Sequence, residues 1–269
     1  MGSDGLTIKP EAPVVSVKNL CFSYGGQQVL SDVSFEVPPG SSLMVIGMSG
    51  CGKTTLLRCL NGLVKPQCGE VLVQGKLLAS LSRDELYKLR LQTGYVFQGA
   101  ALFDSLTVFQ NVAFPLVQHL RLSKRELADR VHDKLQLVGL SDVDTKYPDE
   151  LSGGMRKRAA IARSLVMEPS LLLYDEPTAG LDPIIGSTID KLVDELKRRL
   201  GVTSVVVTHY IQTALEYADK IMLLHQGMPR FFGTSEELRA SPDPFVYQFL
   251  TGKPAGPVEE SLLARDEVL

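Results

Sequence analysis

The sequence has no apolar run long enough to cross a bilayer. Its first residues, Met1 to Pro13, hold no apolar core of the kind a secretory leader carries. The chain is therefore expected to stay in the cytoplasm and to meet a membrane only through a partner. No basic excess is present either: the formal net charge is -3 and the isoelectric point about 5.9. Nucleic-acid binders usually show a basic stripe, so none is expected among the partners. The most basic stretch, Arg156-Lys157-Arg158, lies in an amphipathic helical pattern and reads as a solvated face. Four cysteines, Cys21, Cys51, Cys59 and Cys68, match no zinc spacing and come without a histidine pair. Reduced thiols are the expectation for such a chain. Internal repeats and low-complexity tracts are missing as well.

What remains is an ordinary globular composition, 44% apolar and 22% charged over 269 residues. A chain of that size buries a full core without metals or disulfides.

Residues Gly47-Met48-Ser49-Gly50-Cys51-Gly52-Lys53-Thr54 fit G-x-x-x-x-G-K-[ST] in full. Ser42 to Ile46 before them reads as a buried strand, and Thr54 to Leu63 after them as a helix. Strand, glycine loop and helix together form a phosphate cradle. Glycines let backbone N–H groups close on the phosphates, and the helix N-terminus adds partial positive charge. Lys53 would reach the β- and γ-phosphates, and Thr54 would place its hydroxyl on Mg²⁺.

A second apolar run, Leu171 to Tyr174, ends in Asp175-Glu176. Beside a phosphate loop, the first acid suits Mg²⁺ and the second suits the attacking water. Alone, the pair also fits a strand entering a solvated turn. Asp182 and Pro183 read as the N-cap and first position of a following helix.

With these residues in view the sequence resembles the ABC (ATP-binding cassette) ATPases over about residues 14 to 250. The most specific element is Leu151-Ser152-Gly153-Gly154-Met155, similar to the family signature, with methionine where most members have glutamine. The resemblance implies an α/β fold: an ABC-type P-loop nucleotide-binding domain with an antiparallel β subdomain and a helical subdomain inserted at about 99–166. It implies ATP and Mg²⁺ as cofactors. It assigns the phosphate contacts to Gly47 through Thr54 and to Thr55. Tyr24 would stack on adenine. Gln98 would contact Mg²⁺ and the water, and His209 would hold the γ-phosphate and the water of Glu176. Ser152, Gly153, Gly154 and Asp182 would serve the ATP of a second copy. Each of these residues, taken singly, has a plain structural explanation; their order and spacing carry the resemblance.

Three stretches resemble the ATPases of MCE-linked, Mla-type phospholipid transporters: Gln98 to Val108, Leu151 to Arg158, and Ser241 to Gly252. This implies a peripheral subunit on the cytoplasmic face of the inner membrane. Its expected partners are an integral-membrane permease, a second copy of itself, an MCE-domain protein and a small accessory subunit. The alternatives are a small-solute importer ATPase, a soluble ABC ATPase acting on nucleic acid or ribosomes, and an ATP-gated scaffold without turnover. Intact Glu176 weighs against the last. Two strands are expected near Lys220 to Leu224 and Arg230 to Phe232, a capping box at Ser123 to Glu126, and a loose tail over 251–269.

Overall fold

The computed structural model describes residues 12–253. A four-stranded antiparallel sheet takes β1 (Val15–Tyr24), β2 (Gln27–Val37), β4 (Cys68–Val73) and β5 (Lys76–Leu77), in the order β2-β1-β4-β5. The larger sheet runs β10-β9-β3-β8-β7-β6. Its strands are β3 (Ser42–Ile46), β6 (Thr93–Val96), β7 (Leu171–Asp175), β8 (Thr203–Val207), β9 (Lys220–His225) and β10 (Met228–Gly233). β10 alone pairs antiparallel there.

Every residue of β3, β7 and β8 is buried. Parallel strands covered on both faces read as unbroken apolar runs, which is why these three show in the sequence without alternation. One core cluster, with Leu56, Leu57 and Leu60 of α1 (Lys53–Leu60), lies under the antiparallel sheet. The other joins the opposite sheet face to the helices α3 (Val108–His119), α4 (Lys124–Leu137), α5 (Gly153–Leu165) and α6 (Pro183–Leu200).

The helix ends follow local chemistry. Ser123 and Glu126 form the expected reciprocal box at α4, with Ser123 N–H donating to Glu126 Oε2 at 2.8 Å. Asp182 caps α6, accepting from the amides of Ile184 and Ile185 at 3.1 and 3.0 Å. Ser152 caps α5 through the amide of Met155.

The strands β4 and β5 and the helix α2 (Arg83–Leu91) were not expected, and α3 was expected only as part of the helical lobe. α3 looks like a plain apolar surface in the sequence. Its fully buried Asn111 organises the loop before it, accepting from Phe103 N–H at 2.8 Å and donating to the carbonyls of Phe103, Leu106 and Thr107.

Two expectations are corrected. Cys21 and Cys68 face each other across β1 and β4 with Cα atoms 5.1 Å apart, and they are joined as a disulfide. The antiparallel register puts the two side chains within bridging reach, which spacing in the sequence cannot show. Cys51 and Cys59 remain thiols. The basic triplet is not a solvated face: Lys157 is buried and Arg158 half-buried, leaving only Arg156 exposed. Most of the expected tail, 254–269, lies outside the described residues.

Beneath the cap of α6, a cavity of about 200 Å³ separates it from α7 (Ile211–Tyr217). Buried Asp190 borders it and accepts from Thr213 Oγ1 at 2.7 Å. Burial is the leading cause that raises the Asp190 carboxyl to about 6; Thr213 opposes this and the charge of Glu216 adds to it. A carboxyl raised in the folded state binds its proton more tightly there than in the unfolded chain. It therefore withdraws stability as pH rises from about 4 to about 6. Asp190→Asn should remove this cost, gaining roughly 2 kcal/mol relative to the parent across that window. Urea unfolding of both proteins at stepped pH measures the difference; a constant difference refutes it. Asn111→Ala should cost about 2–4 kcal/mol, because four hydrogen bonds are lost and the loop groups are left unpaired. Chemical denaturation reads that loss directly.

Candidate functional site

The parallel register decides what meets at the sheet's edge. Val45 lies beside Val207, and Val207 beside Asp175. The chain leaving β3 is the glycine loop, the chain leaving β7 begins with Glu176, and the chain leaving β8 carries His209.

In the loop, Gly47 and Gly52 have φ of 152° and 108°. A Cβ on Gly52 would sit 2.8 Å from the carbonyl oxygen of Val29, and one on Gly47 would collide with the carbonyl of Leu224. Only glycine allows the loop to pack this closely. Gly52 caps α1 in the left-handed conformation with no side chain across the helix end. The first amides of α1 thus stay available for an anion.

Lys53 is buried and turns back along the loop, donating to the carbonyls of Gly47 at 2.8 Å and Met48 at 3.0 Å. Its Nζ stands 3.9 Å from Glu176 Oε1. Thr54 Oγ1 donates to Asp175 Oδ1 at 2.9 Å, and Tyr95 OH donates to Asp175 Oδ2 at 3.2 Å. Glu176 has φ of 47°, a left-handed backbone that costs a non-glycine residue energy and clusters at functional sites. Its amide donates to the carbonyl of Val207 at 2.9 Å. Its Oε2 accepts from Gln98 Nε2 at 3.4 Å and lies 3.1 Å from His209 Nδ1. Ser49, Gly50, Gly52, Lys53, Thr54 and Thr55 line a cleft of about 310 Å³ with Gln98, Glu176 and Val29.

The donor set suits the expected ligands. Thr54 and Asp175 offer adjacent hard oxygens of the kind Mg²⁺ takes. Lys53 now holds neutral carbonyls, partners that a phosphate oxygen outbids by charge.

Not every predicted residue is part of this cleft. Tyr24 is exposed, packs edge-on against Phe22 at 4.6 Å and accepts from Arg58 Nη1 at 3.4 Å. Cys51 lies behind the loop; burial raises its thiol pKa, and the charge of Lys53 lowers it. Ser152, Gly153, Gly154 and Asp182 form a second group. A Cβ on Gly153 would lie 2.9 Å from Leu181 Cδ2, and one on Gly154 2.7 Å from Ile185 Cγ2. The signature turn is thus packed on the turn that Asp182 caps, and neither lines the cleft.

The sequence reading missed Tyr95, which braces Asp175, and Lys157, whose Nζ donates to the carbonyl of Gln98. Tyr95 sat in a stretch already singled out for Gln98. Lys157 left no signal, since a lysine at helical spacing reads as surface.

Comparison with known proteins agrees with this geometry. The ABC transporter family matches residues 30–179, more than half of the chain. The intermembrane phospholipid transport system ATP-binding protein MlaF of Escherichia coli (strain K12) is 41% identical over 247 residues, covering 92% of this chain and 92% of that protein. The probable ribonucleotide transport ATP-binding protein mkl of Mycobacterium leprae (strain TN) is 38% identical over 275 residues, covering 100% of this chain and 79% of that one. Among solved structures, the dimeric post-hydrolysis state of the ATP-binding cassette MJ0796, bound to ADP and Pi, superposes with a TM-score of 0.75 at 33% identity, covering 82% of this chain and 98% of that chain. The chain belongs to the ABC transporter family and is one of its ATP-hydrolysing cassettes.

Proposed function

We propose that this cassette powers phospholipid transport through a separate permease, working as a pair of copies that share two ATP sites. The observation that carries the shared sites is the division into two groups. The glycine loop, Asp175, Glu176, Gln98 and His209 converge on one cleft, while Ser152–Gly154 and Asp182 converge elsewhere. A signature that does not line its own cleft is placed to serve a second copy's. Ile184, beside Asp182, is 78% exposed, an apolar side chain suited to burial between copies. The MJ0796 structure, itself dimeric, supports the same arrangement. Residues 14–250 form the cassette in this reading, with the helical lobe over about 99–166.

In each site the α1 amides and Lys53 bind the β- and γ-phosphates, and Tyr24 offers its ring to adenine. Thr54, Asp175 and Gln98 would hold Mg²⁺, which when bound offsets charge on the phosphate oxygens. Glu176 orients the attacking water and accepts its proton. His209 and Gln98 flank the Glu176 carboxylate and fix its direction. Ser152 and Gly154, with the dipole of α5, complete the γ-phosphate site of the other copy.

The phospholipid assignment rests on the similarity to MlaF, together with the segment from Gln98 to Val108. The name of the mycobacterial relative points instead to ribonucleotides. Among the described residues no helix is long and apolar enough to cross a membrane. Membrane contact then falls to a groove of about 500 Å³ bordered by Phe97, Phe103, Phe114 and His119. Phe97 and Phe103 are 43% and 45% exposed, and the rings of Phe103 and Phe114 lie 4.8 Å apart. We assign this groove to a permease helix at the cytoplasmic face of the inner membrane. An MCE-domain protein and a small accessory subunit complete the assembly.

Glu176→Gln should retain ATP binding, hold the closed pair, and lower turnover by about 10²–10⁴-fold. A phosphate-release assay beside sedimentation decides this; near-normal turnover removes Glu176 from the role of base. Phe103→Asp should leave the unfolding midpoint unchanged and cut permease recovered on the tagged subunit by about tenfold or more. Native membranes in mild detergent supply the material, and mass spectrometry of the eluate reports partners and lipid together. Undiminished permease refutes the groove assignment. A solute-binding protein in place of phospholipid and an MCE protein refutes the lipid.

A further inference from the structure

The loop after β6 has an unusual backbone. Ala100 and Ala101 both take positive φ, 63° and 49°. Two consecutive alanines in the left-handed region persist only where neighbours impose that shape. The neighbours are on the signature helix α5. Arg163 forks onto this backbone, Nη1 donating to the carbonyl of Ala101 at 2.7 Å and Nη2 to that of Ala100 at 2.8 Å. Six residues earlier, buried Lys157 donates to the carbonyl of Gln98. Three of the four carbonyls from Gln98 to Ala101 are thus held by two cations of one helix.

Charged donors make the stronger hydrogen bonds, and a planar guanidinium fixes two acceptors at once. Burial lowers the pKa of both side chains, and the nearby charge of Glu176 partly offsets this for Lys157. These are ordered contacts with a real desolvation cost, so removing a donor leaves the carbonyls without an equal substitute. The side chain of Gln98 meets Glu176 in the cleft, while its carbonyl is tied to α5. At its other end α5 presents Ser152–Gly154.

We infer that Lys157 and Arg163 are positioning residues that hold the Gln98–Ala101 loop against the signature helix, and that losing either side chain weakens the ATP-driven pairing of copies. Three hydrogen bonds tie the loop to the helix. The inference rests on the shared-site reading given above.

The test uses the full chain carrying Glu176→Gln, in which ATP is bound and not turned over. ATP-driven dimerisation is followed by sedimentation, and binding to dilute monomer by a fluorescent methylanthraniloyl-ATP. Lys157→Met and Arg163→Met should leave nucleotide binding by the monomer within about twofold and raise the ATP concentration for half-dimerisation about tenfold or more. Lys157→Arg should restore the parent curve. Arg163→Lys should not, because an ammonium cannot span both carbonyls.

Dimerisation of both methionine variants at the parent's ATP concentration overturns the inference while leaving the shared sites intact. A parent chain that fails to dimerise with ATP overturns the shared sites and this inference together. Should the methionine variants not fold, hydrogen exchange on the Glu176→Gln chain decides. ATP must change protection in residues 99–102 and in α5 together, and a response confined to the loop refutes the link.

Discussion

Everything in this cassette depends on three buried strands ending level with one another. β3, β8 and β7 are adjacent and parallel, and all their residues lie in the interior. Their register leaves little freedom, since sliding one strand by a residue would turn every side chain to the opposite, differently packed face. The packing that stabilises the domain therefore also fixes where Gly47, Glu176 and His209 leave the sheet. The site is built on the ends of strands that are buried throughout. The last link is a glycine loop after β3 and a left-handed turn at Glu176 after β7.

The helical lobe is organised by different means. Its loops are held by a few polar side chains that are buried or half-buried. Asn111 secures one end of the segment after β6, and α5 secures the other. A buried polar network of this kind is demanding, because each member is needed by its neighbours. It also gives a definite shape to a stretch that has neither helix nor strand between Val96 and Val108.

Features encoded by neighbours in sequence were legible beforehand. The glycine loop, the acid pair and the caps at Ser123 and Asp182 are local, and short-range sterics and hydrogen bonding decide them. The three central strands were legible because double-sided burial gives unbroken apolar runs. What escaped depends on contacts across the chain. Lys157 looks like any surface lysine until α5 is laid against the loop of Gln98. The pairing of Cys21 with Cys68 needs the register of β1 and β4, and β4 itself has exposed residues at its start. Asn111 sits in an apolar stretch, where nothing local says that a loop eight residues earlier requires it.

The turn between β9 and β10 shows how far such dependence extends. Gly227 donates its amide to the carbonyl of Cys51 at 3.1 Å and accepts from the amide of Ser31 at 2.9 Å. A Cβ there would collide with Val29, as one on Gly47 would with Leu224. A hairpin remote in sequence is thus moulded against the underside of the phosphate loop, with glycines serving as the clearance on both sides. In descent, these positions are not separate characters. A lineage that altered the hairpin's backbone would have to re-fit the nucleotide loop in the same step. Variation in this part of the chain is expected to be inherited as a block.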